Sequence, residues 1–349
     1  MKVLVTGHLG YIGSVLGPLL IERGHTVVGI DTGFFATNTT PQSIPSALHK
    51  AYRLDVRQIE LKHLEDIEGV IHLAALSNDP MGQLDPSLTD EINHRASVRL
   101  ARLAREAGVS RFIFASSCSL YGAADTSKPV DETAPFNPVS AYAHSKVDAE
   151  AGISALADEN FTPVFLRNAT AYGLSPAMRF DLVANNLVGW ALTTGTIKLL
   201  SDGSPWRPLV HVEDIARACI AALEAPKDAV HNQAFNVGRD DQNFQVWEIA
   251  EIVRQAIPGC KVELASDAEP DTRSYRVSFA KVAQNLPSFQ PKWTLDAGVQ
   301  QMVDFFQHRG LTPTEFQGGP FIRLAQLRHL LDTGQLDTKL YWKSKEANS

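Results

Sequence analysis

Along the first 170 residues the chain switches between two hydrophobic patterns. Apolar runs at 2–6, 26–30, 49–56, 69–75 and 111–115 have the composition of strands in a buried parallel sheet. Between them apolar residues recur at helical spacing, at Ile12, Val15, Leu16, Leu19 and Leu20 and again from Leu88 to Ala107, where Gly108 closes the helix. The alternation predicts an α/β fold, a doubly wound parallel sheet with right-handed crossovers, whose ligands sit at the carboxyl ends of the strands. Pro18 should bend the first helix. The segment Thr32–Ser46, rich in Thr, Pro and Asn around Phe34 and Phe35, has loop composition.

The first strand–helix–strand unit carries a phosphate-binding pattern. Gly7, Gly10 and Gly13 fall as G-x-x-G-x-x-G between strand and helix. There one glycine permits the turn, one lets backbone N–H groups approach a pyrophosphate, and one lets the helix pack close to its strand. The helix N-terminus adds unpaired donors and a positive dipole end. Tyr11 and Ile12, inside the turn, join the three glycines as expected cofactor contacts. The next strand ends in Asp31, and an acid about 20 residues beyond the glycines accepts hydrogen bonds from the adenosine ribose. Asp31 also repels a 2′-phosphate and Thr32 brings no Arg, so NAD is expected over NADP. Asp55 and Val56 at one strand end, and Leu73, Ala74 and Ala75 at the small-residue exit of another, are assigned to the same Rossmann-like site. Asp55 fits a contact with the adenine edge or a helix cap.

At 349 residues the chain makes one large domain or two modest ones. A net charge of −7 disfavours nucleic-acid and membrane-surface partners, because neither polyanion attracts an acidic protein. No apolar run is long enough to span a bilayer, and the N-terminus starts directly into a core strand with no signal peptide. The three scattered cysteines, Cys118, Cys219 and Cys260, fit reduced thiols. A cytoplasmic location is therefore expected. No metal-ligand pattern, repeat or low-complexity tract is read.

Downstream of a Pro-rich loop, Ser140 to Lys146 opens a helix on which Tyr142 and Lys146, four apart, share a face. An ammonium beside a phenol lowers its pKa from about 10 toward neutrality, which makes Tyr142 a usable acid or base. Ser116, Ser117 and Ser119 follow the 111–115 strand, at the ligand-binding edge of such a sheet.

With these residues in hand, the chain resembles the extended short-chain dehydrogenase/reductase family, in its NAD-dependent nucleotide-sugar epimerase/dehydratase group. TGxxGYIG is matched by Thr6–Gly13, SSxxxYG by Ser116–Gly122 and YxxxK by Tyr142–Lys146. The resemblance implies that Tyr142 takes a sugar hydroxyl proton, Ser117 hydrogen-bonds the same oxygen, and Lys146 holds the nicotinamide ribose. It implies substrate contacts at Ser117, Thr170, Asn186, Arg207 and Arg273. Arg207 would grip a diphosphate, as a forked, permanently charged guanidinium suits, and Arg276 competes with Arg273 for a second phosphate contact. Thr170 stands where many relatives carry Asn.

The 4,6-dehydratases of the group have an Asp-Glu pair where this chain has Cys118 and Ser119, so dehydration loses its usual acid and base, and Cys118 is expected as a buried spacer. The activity implied is an NAD-dependent nucleotide-sugar epimerase working through a transient keto-sugar. The alternatives are an NAD(P)H-dependent keto-sugar or other carbonyl reductase, and a nucleotide-sugar dehydratase or decarboxylase. The expected organisation is an NAD-binding part at 1–170, a mainly substrate-binding part at 171–310 partly interleaved with the sheet, and a helical extension at 311–349. That extension, apolar at Phe321, Leu324, Leu327, Leu330 and Leu331, suits a helix capping its own core, an arm over the cleft, or a contact with a partner subunit. A homodimer through the helices flanking Arg95 and Tyr142 is also implied.

Overall fold

The computed structural model describes residues 1–36, 48–199, 201–264 and 274–343. Its first six strands are β1 (Lys2–Thr6), β2 (Thr26–Asp31), β3 (Lys50–Arg53), β4 (Gly69–His72), β5 (Arg111–Ser117) and β6 (Thr162–Asn168). Six more follow: β7 (Thr170–Tyr172), β8 (Thr196–Leu199), β9 (Trp206–His211), β10 (Gln233–Val237), β11 (Asn243–Gln245) and β12 (Lys261–Leu264). A seven-stranded sheet runs β10-β6-β5-β4-β1-β2-β3, parallel throughout.

Alternation along β1 shows why the strand is apolar on every position. Val3 and Val5 pack with Leu16 and Leu20 on one face, while Leu4 packs with Val70 and Leu100 on the other. Each fully buried side chain of this kind contributes roughly 1.5–3 kcal/mol. The helix Gly13–Glu22 covers the first face and runs on through Pro18. The helical stretch read at Leu88–Ala107 is interrupted: a short helix, Pro86–Thr89, passes into a π-helical turn at Asp90–Arg95 before the α-helix Ala96–Glu106. The wider turn carries Asn93, which is fully buried and bonded to both backbone groups of Leu76. The strand read at 49–56 is shorter, Lys50–Arg53, because Asp55 starts a 3₁₀ turn. Of the loop read at Thr32–Ser46, the part beyond Ala36 lies outside the described residues.

The second half builds a three-stranded sheet, β11-β9-β7, over a core of Tyr172, Phe180, Leu209, Met302 and Phe306. It also returns one strand to the large sheet. β10 pairs with β6 in the register Phe235↔Leu166. The C-terminal segment contains the helix Arg323–Asp332, and its Leu327, Leu330, Leu336 and Leu340 are buried in the same layer as Leu4, Val28 and Phe34.

Candidate active site

A cavity of about 790 Å³ opens at the carboxyl ends of the central strands, lined by Gly7 after β1, Asp31 of β2, Leu73 after β4, Ser117 of β5 and Asn168 of β6. The strand order reverses between β1 and β4, the switch point where α/β sheets bind ligands.

At one end the glycine turn is packed too tightly for side chains. Gly7 has φ +75°, and a Cβ there would stand 2.9 Å from the Ala74 nitrogen. A Cβ on Gly13 would overlap the Gly7 carbonyl. Gly10 N–H donates to that same carbonyl at 3.0 Å. Tyr11 donates its hydroxyl to the Gly173 carbonyl at 2.6 Å and accepts from Asn185 at 3.1 Å, which ties the turn to the second half of the chain. The Asp31 carboxylate accepts Leu9 N–H at 3.1 Å and Gly33 N–H at 2.8 Å, one on each oxygen. About four lone-pair positions on a carboxylate leave room for ribose hydroxyls. Ile12, Val56, Ala74 and Ala75 complete this wall.

Asp55 lines the cavity, with its charge engaged from behind. It caps the 3₁₀ turn through Arg57 N–H at 2.8 Å and takes the Arg57 guanidinium at 2.9 and 2.8 Å. A bare glycine cradle with a carboxylate at its ribose end suits a dinucleotide lacking a 2′-phosphate.

Ser117, Tyr142 and Lys146 come together in the lining of the same cavity. Ser140 caps the helix Ala141–Ser154, accepting Ala143 N–H at 3.1 Å, and so sets Tyr142 in its first turn. Ser117 accepts Ser119 N–H at 3.1 Å and hydrogen-bonds the Tyr142 phenol. Lys146, 4% exposed, donates to the Ala115 carbonyl at 2.7 Å and lies 4.6 Å over the Phe114 ring and 5.8 Å from the centre of the Tyr142 ring. Burial lowers its pKa to about 8, against the opposing pull of Glu150.

The phenol moves the opposite way from the sequence-based expectation. Burial pushes Tyr142 up to about 12, aided by Asp79 and opposed by Ser117 and Arg179. Desolvation of the phenolate outweighs the charges around it. Ser116 Oγ, Ser119 Oγ and Asn168 Oδ1 are buried without a partner among the described residues, and all three side chains line the cavity. Cys118 is fully buried, donates to the Arg167 carbonyl at 3.1 Å, and has a thiol pKa pushed up by burial, the environment of an inert spacer.

The walls also include Thr170, Asn186 and Arg207. Asn186 donates to the Phe180 carbonyl at 2.9 Å, and Arg207 on β9 to the Trp206 carbonyl at 2.8 Å. Arg273 lies outside the described residues. Arg276 stacks 4.9 Å over Trp206 rather than lining the cavity.

Sequence reasoning passed over a polar cluster beside Tyr142. Arg179 donates to Asp181 at 2.8 and 3.1 Å and to Ser77 Oγ at 2.9 Å, and Asn78 donates to Asp181 at 2.9 Å. Ser140 donates to Asp79. The available signal was Asn78-Asp79-Pro80 after a strand exit, a helix-start pattern: Asn78 caps the short helix Asp79–Gly82.

A family model described as the NAD dependent epimerase/dehydratase family matches residues 3–238. The chain is 30% identical over 322 residues to a UDP-glucose 4-epimerase of Mycolicibacterium smegmatis, covering 88% of this chain and 99% of that one. It is 26% identical over 327 residues to UDP-glucuronic acid decarboxylase 1 of Arabidopsis thaliana, covering 91% of this chain and 72% of the relative. Among solved structures it is similar to MoeE5 in complex with UDP-glucuronic acid and NAD, at 27% identity and a TM-score of 0.76, with 89% of this chain and 100% of that one covered.

Proposed function

The chain belongs to the NAD-dependent epimerase/dehydratase family, and from that premise we propose that it inverts a hydroxyl-bearing carbon of a nucleoside-diphosphate sugar through a transient keto-sugar. The relatives that carry a UDP-sugar 4-epimerase name make a UDP-hexose the first substrate to try. The observation that carries the reading is the Tyr142 phenol, hydrogen-bonded by Ser117 with Lys146 beside it, in one cavity whose lining also includes Asp31 and Arg207.

Gly7, Gly10, Gly13, Tyr11 and Ile12 would hold the cofactor diphosphate, Asp31 one ribose, and Lys146 the other. Bound NAD supplies a reversible two-electron acceptor beside the sugar. Tyr142 Oη takes the proton of the sugar hydroxyl as that carbon becomes a ketone, and later returns it. Ser117 Oγ hydrogen-bonds the reacting oxygen, and the Lys146 ammonium stabilises the phenolate while it exists. Arg207 binds the substrate diphosphate and Asn186 and Thr170 flank it, so the sugar can present either face while the nucleotide stays anchored.

Cys118 and Ser119 offer no carboxyl group at the positions next to Ser117, which favours epimerisation over elimination. We also propose a cytoplasmic homodimer joined through the helices Ala96–Glu106 and Ala141–Ser154.

Mass spectrometry of the purified protein incubated with a panel of nucleotide sugars and no added cofactor tests the reaction. A product of unchanged mass and shifted retention is expected. Loss of carbon dioxide or water would overturn epimerisation in favour of decarboxylation or dehydration, and turnover only with added NADH or NADPH would make the protein a reductase.

A further inference from the structure

We propose that Arg323, delivered by the C-terminal segment, donates to the diphosphate of the bound dinucleotide, so that this segment forms part of the cofactor site. Residue 323 stands far beyond the family match, which ends at residue 238. The side chain is 2% exposed yet lines the cavity. Its Nη2 donates to the Ala177 carbonyl at 2.8 Å, and the guanidinium lies 4.3 Å over the Phe35 ring, which together fix the plane of the fork. Nη1 is buried with no partner among the described residues. A buried cationic donor left unpaired is costly, and a phosphate oxygen is the partner whose geometry a guanidinium fork fits.

The neighbours say which phosphate. The groups acting on the Arg323 charge are Arg179, Asp181, Asp31 and Tyr11. Arg323 therefore neighbours both the ribose-binding acid with the glycine turn and the cluster beside Tyr142, in a cavity whose lining runs from one to the other. A dinucleotide with one ribose at Asp31 and the other at Lys146 must carry its diphosphate across that interval. Asp181 attracts the guanidinium without hydrogen-bonding it, its carboxylate being taken by Arg179, Asn78 and the Arg323 backbone N–H. Burial brings the Arg323 pKa down to about 9, which leaves it charged at neutral pH.

The rest of the segment is fastened to the same end of the site. Gln326 donates to the Phe34 carbonyl at 3.3 Å and Trp342 Nε1 to the Thr32 carbonyl at 2.7 Å. Arg57, which holds Asp55, donates to the Lys339 carbonyl at 2.9 Å and stacks 3.9 Å from the centre of the Tyr341 ring. These contacts reach the loops after β2 and β3, on the adenosine side.

The inference rests on the NAD-binding reading of the cavity. Calorimetric titration of the full chain, stripped of nucleotide, with NAD and separately with UDP tests both. Arg323→Met is expected to weaken NAD at least about tenfold, as loss of a charged hydrogen bond does, with UDP unchanged. Arg323→Lys, which keeps the charge without the fork, should fall between. Equal NAD affinity in wild type and Arg323→Met removes the role of Arg323 alone, whereas wild type that binds no NAD removes the NAD reading itself. Weakened UDP with unchanged NAD would assign Arg323 to the substrate instead.

Hydrogen exchange on wild type covers the case of a variant that does not fold. NAD should slow exchange at 322–342 as well as at 7–13; protection confined to 7–13 overturns the inference.

Discussion

Burial acts on Tyr142 before any charge does. With its phenol pushed up to about 12 the residue is protonated at neutral pH, so it serves as a base only after its own proton has gone to solvent, leaving a phenolate that Ser117 and Lys146 must stabilise. Tyr142→Phe should keep NAD affinity and fold while turnover drops about 10²–10⁴-fold, the usual worth of a positioned acid or base; steady-state rates beside NAD titration check the split. His72 shows the same physics in a structural role. Its ring nitrogens meet Thr6 Oγ1 at 2.6 Å and Ser97 Oγ at 2.8 Å, and burial lowers its pKa to about 3. Between about 6.5 and 3 the unfolded chain binds a proton there that the native one refuses, so stability is present above the window and is lost as pH falls through it. Urea unfolding should show a lower midpoint at pH 5 than at pH 7, and His72→Gln should flatten that slope. The glycines, Asp31, Ser117, Tyr142 and Lys146 were legible because each stands at a fixed offset from a strand end or helix start. Arg179 and Asp181 were not, because two residues apart in a loop they match no spacing rule, and only folding brings Ser77 and Asn78 to them.

Among elements, the parallel strands announce themselves through apolar runs, and the structure keeps every one of those read in the first 120 residues with ends shifted by a few positions. The π-helical turn was invisible, since its apolar spacing over a few residues is too close to that of an α-helix. Its reason lies in one side chain. Asn93 accepts Leu76 N–H at 2.8 Å and donates to the Leu76 carbonyl at 3.0 Å and to Ser145 at 3.2 Å, joining the exit of β4 to the helix that carries Tyr142 and Lys146. Asn93→Ala strands two buried backbone groups and should cost at least about 2 kcal/mol, read as a lower urea midpoint with an unchanged slope. Leu76 lines the cavity, so NAD affinity should fall with it.

At the level of the whole molecule, the seventh strand of the sheet comes from the second half of the chain. A fragment of residues 1–170 leaves β6, buried along its length and apolar at Val164, Phe165 and Leu166, without β10 on its outer side. Such an edge recruits other chains, so the fragment should be recovered in aggregates on sedimentation while the full chain stays in solution. Residues beyond 170 thus complete the same sheet as β1 to β6, which residue patterning alone does not reveal because β10 reads like any short strand.

The C-terminal segment has a different consequence. The glycine turn, Asp31 and Tyr142 all precede it in order of synthesis, and its leucines then seal against the layer that holds Leu4 and Val28. On the proposal that Arg323 holds the cofactor diphosphate, departure of the cofactor would wait on the undocking of this packed helix. The dinucleotide would then behave as a slowly exchanging part of the fold, suited to a reaction that hands back every electron pair it borrows.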